Sequence, residues 1–173
     1  MDIREKAKGQ LNALERVLHK VPGFRGYYEK ELRRDSDRRQ REFIVAQLRQ
    51  VKSGMNKVIQ AAARQKDFDL LREYDLFVKE LDKVSGAVRY ADGGYSGFFD
   101  LLKIREAELD RVYEQDALAV ETAATLLEGF KSLAAAPLAS EALVPLRAAL
   151  TQLEGLLATR TNLLQGFAQG EGK

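Results

Sequence analysis

Residues Tyr27 to Lys66 form a run of about forty residues without proline, and this run most constrains what the chain can fold into. It opens with the charge-dense EKELRRDSDRRQR and continues into FIVAQLRQVKSGMNKVIQAAARQK. As one helix over 27–65 it would reach roughly 55–60 Å at about 1.5 Å per residue. A helix of that length needs partners along its side. Phe43, Ile44, Leu48, Val51, Met55, Val58, Ile59 and Ala62 recur at spacings of three and four, which gathers them on one stripe for neighbouring helices.

The rest of the chain repeats this pattern. A first helix near 2–20 carries Ile3, Leu11, Leu14, Val17, Leu18 and Val21 on one face, with His19, the only histidine, near its C-terminal end. Pro22, Gly23 and Gly26 break the chain. Among them Phe24, Tyr27 and Tyr28 are expected to plug the end of a bundle, the phenol oxygens reaching polar partners. Asp67 suits the N-cap of a third helix at 68–92, whose seam is Leu70, Tyr74, Phe77, Leu81, Val84 and Val88. Gly93, Gly94 and Gly97 then predict a tight turn, with positive φ at Gly93 or Gly94 and with Ser96 capping the fourth helix.

That fourth helix, the second long one, is expected at 97–136, with Phe98, Leu102, Leu109, Val112, Ala119, Ala123, Leu126, Leu127, Phe130 and Leu133 as its stripe, until Pro137 stops it. The last helix, near 140–168, presents Leu143, Leu146, Leu150, Leu153, Leu157, Leu164 and Phe167, and Pro145 is either its first-turn residue or a kink. The expected fold is therefore all-α: one domain over 1–168, an elongated antiparallel bundle of about five helices, with 169–173 a disordered tail.

Two blocks, VPGFRGYYEKELRRDSDRR and GGYSGFFDLLKIREAELDRVYEQD, resemble a family of uncharacterised bacterial helical proteins. That family shares a Pro-Gly-Tyr-x-Gly-Tyr, Lys-Glu-x-Arg-Arg-x-x-Asp opening and a Gly-Tyr-x-Gly-hydrophobic-Phe-Asp hairpin. Phe24 stands at the first aromatic of the opening pattern, so no phenol chemistry can depend on that position. The resemblance implies a helical fold and brings no activity, cofactor or ligand with it.

Charge is the main functional signal. Residues 1–66 hold 17 Lys and Arg against 8 Asp and Glu, whereas 67–173 hold 11 against 18. The two halves either attract each other within the fold or leave the first free for an anionic partner. From Phe43 to Lys66 there is no acidic residue, and Arg49, Lys52, Lys57, Arg64 and Lys66 are the candidate partner-binding residues. The stretch from Glu29 to Glu42 has six basic and five acidic side chains, including Glu29–Arg33, Asp35–Arg39 and Asp37–Arg41 four apart. It reads as a solvated, self-paired face.

Catalytic and metal signatures are missing. The chain has no cysteine, and its lone histidine has no serine arrangement around it. The glycine-rich turn lacks the strand and the GxxxxGK[ST] or GxGxxG spacing of a phosphate loop. Glu106, Asp110 and Glu114 make one row and Asp116 lies near the apolar seam, but a bundle metal site needs Glu-x-x-His on two helices. Arg105, Glu106 and Asp116 are expected instead to pair with arginines of a neighbouring helix. No apolar run approaches the span of a bilayer, and a cytoplasmic location is the expectation. The sequence thus points to a non-enzymatic interaction or scaffold protein without cofactor or metal. Its partner would be another protein or a second copy of itself, with weak, unspecific binding of nucleic acid or anionic membrane through 43–66 as the alternative, and a carboxylate metal bundle as a further one.

Overall fold

The computed structural model describes residues 13–91 and 103–170. Its elements are α1 (13–20), α2 (Lys30–Gln65), α3 (Phe68–Tyr90), α4 (Glu106–Ala135), a short 3-10 turn (Glu141–Leu143) and α5 (Val144–Gly170). No strand occurs among the described residues, and the chain is an all-α bundle. The α2–α3 and α4–α5 pairs run antiparallel, and α2 lies beside α4 in the same direction: Gln40 meets Asp116 near one end, and Gly54 abuts Phe130 further along. The α3 and α5 helices are likewise parallel neighbours, joined by Arg147–Glu73 and Lys83–Glu154 ion pairs. No described helix is long and apolar enough to cross a membrane.

Most residues of the expected stripes are the core, whereas Leu18 is exposed and Leu14, Phe43, Ile59, Leu157 and Phe167 are half-buried. All six seam residues of α3 are buried, as are Ile44, Leu48, Val51, Met55, Val58 and Ala62 of α2, and Leu109, Val112, Ala119, Ala123 and Leu126 of α4. Packing along α2 is close enough that a methyl group on Gly54 would overlap the Phe130 ring. Asp67 caps α3 as expected, accepting the Leu70 N–H at 3.0 Å. Ahead of it, Lys66 closes α2 in the left-handed region at φ 58°, a position that usually falls to glycine.

The helix limits differ from expectation at several ends. The long helix α2 starts at Lys30 rather than 27: Gly26 takes φ 90°, and the Tyr27 carbonyl accepts from Arg33 Nε at 2.6 Å instead of from a helical N–H. Of the fourth helix, expected over 97–136, residues 97–102 lie outside the described residues, 103–105 are not helical, and α4 begins at Glu106. The Glu108 carboxylate accepts the Arg105 N–H at 2.9 Å and fixes that start. Ala136, forced to extended geometry by Pro137, ends it. Pro145 lies in the first turn of α5, where its missing N–H has no helical partner to lose. That helix runs through Gly170, beyond the expected limit of 168. The first helix before residue 13, the Gly93–Gly94 turn with Ser96, and 171–173 lie outside the described residues.

Candidate functional site

Three of the apolar stripes have gaps, and the gaps meet. The α4 stripe skips from Val112 to Ala119, and Asp116 stands between. In α5 the stripe skips from Leu157 to Leu164, and Arg160 fills the gap. The stripe of α2, continued backwards from Ile44 at the same spacing, runs through Arg41, Gln40, Asp37 and Arg33. All of these side chains are buried, Asp116 and Gln40 completely. They form one polar layer across the bundle, so one side of the stretch expected to be a solvated, self-paired face is interior. Glu29, Lys30, Glu31, Arg34, Arg38 and Glu42 are exposed, and Asp35 pairs with Arg39 as expected.

Arg160 organises the layer. Its Nε donates to Asp116 Oδ1 at 2.6 Å and its Nη2 to Asp37 Oδ1 at 2.5 Å. Asp116 also accepts from the Tyr27 hydroxyl at 2.5 Å and from Gln40 Nε2 at 3.3 Å. Asp37 accepts from Arg41 Nε at 3.0 Å, and Arg41 Nη1 donates to the Arg89 carbonyl at 3.3 Å. Arg33 donates to the Tyr27 carbonyl at 2.6 Å, and Ser36 accepts the Arg25 N–H at 3.1 Å. Removing charges from water is costly unless each is paired and hydrogen-bonded, and here each carboxylate oxygen has a donor. Gln40 Oε1 is the exception, a buried acceptor without a partner.

Burial holds the Tyr27 phenol well above its usual pKa, and the charge of Asp116 adds to this. Burial also raises Asp116, against the pull of Arg160 and the Tyr27 hydroxyl. For Arg160 burial works toward loss of the proton, but Asp116 and Asp37 outweigh it and hold the pKa well above normal. The aromatic plug forms as expected around this end. Phe24 and Tyr27 are buried edge to face, and Tyr27 stacks on Tyr113 at 5.0 Å between centroids. Tyr28 is half-exposed, with its hydroxyl bonded to Asp110 at 3.1 Å and its pKa pushed up to about 12 by partial burial and that carboxylate.

Arg41 joins the layer to the surface. It lines an open groove of about 510 Å³ between α2 and α3 with Arg38, Arg49, Arg89, Val45 and Glu42. Four arginines face one glutamate there. Arg38 is tied to Asp35 at 2.7 Å, whereas the side chains of Arg49 and Arg89 have no ion pair among the described residues. A smaller cleft continues the groove past Leu48, Lys52, Leu81, Asp82 and Ser85.

Of the residues expected to bind a partner, Arg49 therefore lies in a concave arginine cluster, and Lys52 is held by Asp82 of α3 at 2.6 Å. Lys57, Arg64 and Lys66 are exposed further along α2 and do not join that cluster. Arg38, Arg41 and Arg89 escaped the reading because they lie outside the acid-free segment or on another helix. The antiparallel register that sets Lys52 against Asp82 is what places Arg89 beside Arg49. Asp116 does pair with a neighbouring arginine, whereas Arg105 pairs locally with Glu108 at 2.8 Å and Glu106 is exposed. His19 is exposed. No group of three or more His, Cys, Asp or Glu among the described residues is placed to hold a metal ion. Comparison with protein-family models, curated proteins and solved structures finds no match to this chain.

Proposed function

We propose that this chain is a non-enzymatic docking protein that receives an acidic segment of a partner protein in the arginine groove between α2 and α3. The observation behind this reading is the cluster of Arg38, Arg41, Arg49 and Arg89 around Val45, with Glu42 the one acid in the lining. Guanidinium groups present planar donors matched to carboxylates, and Arg41 is held in place from beneath by Asp37.

The dimensions favour a short ligand. From Arg38 to Arg49 the helix rises about 16 Å, which an extended peptide covers in about five residues. Beyond Arg49 the α2–α3 face is mixed, with Lys52 neutralised by Asp82 and Lys79 by Asp75. A long polyanion would meet those carboxylates. The apolar stripe of α2 is used up in the core, which leaves this basic helix no apolar face to insert into lipid.

The test is binding of a fluorescent peptide of about eight residues, rich in Glu and Asp with one apolar side chain, matched to the reach of an extended strand. Peptide binding is expected to survive ~0.15 M salt, where the screening length is about 8 Å, and to fall at least about tenfold in Arg49→Gln/Arg89→Gln. Duplex DNA and anionic vesicles are expected to bind weakly at low salt and to be lost at that ionic strength. Peptide binding indifferent to the two substitutions would refute the groove, and salt-resistant binding of DNA or vesicles would make the partner a polyanion instead.

A further inference from the structure

The arginine groove has a counterpart at the opposite end of the bundle. Asp67, Phe68 and Asp69 make the turn from α2 into α3, and all three are exposed. Phe68 is the most exposed large apolar side chain among the described residues, at 75%. The two aspartates share an open cleft with Glu141 of the turn before α5, and Arg72 is the one basic side chain in its lining. Glu73, also in that lining, is bound to Arg147 at 3.1 Å, and nearby Asp75 is bound to Lys79 at 2.8 Å. Asp67, Asp69 and Glu141 have no ion pair among the described residues, which is equally true of Arg49 and Arg89 in the groove.

We infer that the acidic segment received by the groove is the α2–α3 turn of a second copy of this chain, with Asp67 and Asp69 on Arg49 and Arg89 and Phe68 laid on the arginines. This rests on the docking reading and names its partner. The two surfaces match in chemistry: carboxylates suit guanidinium forks, and an aromatic ring attracts the same cations while covering their aliphatic stems. Shape agrees as well, since a helical turn is convex and the groove is open. Lys66 precedes the turn, and Glu42, the one acid of the groove, is the counterpart for its charge. From residue 45 to residue 65 α2 rises roughly 30 Å, so a molecule cannot fill its own groove with its own turn. Turn and groove are unlike faces, and each molecule offers one of each. A hairpin tip covers far less than a standard interface, so the association is weak and emerges at high protein concentration.

Sedimentation velocity of the full chain, from about 5 to about 500 μM, measures this association. The average mass of the wild type is expected to rise with concentration. Arg49→Gln/Arg89→Gln and Phe68→Ala/Asp69→Asn are each expected to stay monomeric. All four side chains are exposed, and Asp67 is left in place so that α3 keeps its cap. The first variant keeps its turn and the second its groove, so a 1:1 mixture is expected to form a dimer that neither forms alone. The acidic peptide of the groove test is expected to compete with the wild-type association. The inference is overturned if the wild type stays monomeric at the highest concentration, if the Phe68→Ala/Asp69→Asn variant associates like the wild type, or if the mixture stays monomeric. In those cases, peptide binding that depends on Arg49 and Arg89 leaves the groove standing with another partner, whereas peptide binding indifferent to them removes the groove as well.

Discussion

Two halves of α2 use the same seam in opposite ways. From Ile44 to Ala62 the buried positions are aliphatic, and the fit is one of volume, close enough at Gly54 to leave no room for a methyl group beside Phe130. From Arg33 to Arg41 the positions at the same spacing are charged or amide-bearing, and the fit is one of charge, made against Asp116 and Arg160. The aliphatic half tolerates any residue of the right size. The polar half requires particular partners, because an unmatched charge in the interior costs several times what a lost methylene does.

The largest effect should come from breaking the charge match. Arg160→Met leaves Asp37 and Asp116 buried without their shared cation, and a loss of about 3–5 kcal/mol in urea denaturation is expected. Replacing the set together, with Asp37 and Asp116 to Leu, Arg41 to Met, Tyr27 to Phe and Arg160 to Met, should recover most of that loss, since apolar residues of similar volume often substitute for a buried ionic cluster. A single substitution costing less than about 1 kcal/mol, the range of an exposed pair, would show that the two halves do not differ in this way.

A smaller loss tests the aliphatic half. Gly54→Ala adds one methyl group against Phe130, with about 1–3 kcal/mol of overpacking opposed by up to about 1 kcal/mol of helix propensity. A net loss of about 1–2 kcal/mol is therefore expected in the same assay. A gain would mean that the ring moves aside and that volume is not the constraint there.

The smallest effect provides a surface reference for the buried charges. Arg16 of α1 grips Glu121 of α4 with Nε at 2.6 Å, and that bond holds the Glu121 carboxyl below its usual pKa. A carboxylate depressed in the folded state adds stability above its unfolded pKa, and this is lost as pH falls through the folded value. Glu121→Gln should thus cost under about 1 kcal/mol at neutral pH, as expected of a partly exposed pair. The difference from wild type should vanish in acid, below the usual glutamate range. A difference that persisted there would place the role of Glu121 in packing rather than charge.

The aliphatic stripes, the Asp67 cap and the proline stops were legible in the sequence because they depend on local spacing and backbone chemistry. The polar layer was not. An Asp37–Arg41 pair four residues apart looks the same on a wet face as in a core, and only the gaps in the α4 and α5 stripes at Asp116 and Arg160 marked which it was. The start of α2 was missed for a related reason: the Arg33 side chain takes the Tyr27 carbonyl, and the apolar periodicity gives no sign of such a bond. Arg49 could be named in advance, but its companion Arg89 required the register of α2 on α3.

The layer also bears on the order in which the molecule assembles. The α2–α3 and α4–α5 hairpins can each form from contacts near in sequence, but Gln40 meets Asp116 across 76 positions, Tyr27 meets Asp116 across 89, and Asp37 meets Arg160 across 123. Such bonds close only after the hairpins have docked, when the entropy of joining distant segments has already been lost. The charges therefore stay hydrated through most of folding and give up water near its end. On opening they are among the first contacts to part, which makes the end of the bundle nearest Tyr27 the place where local unfolding should begin.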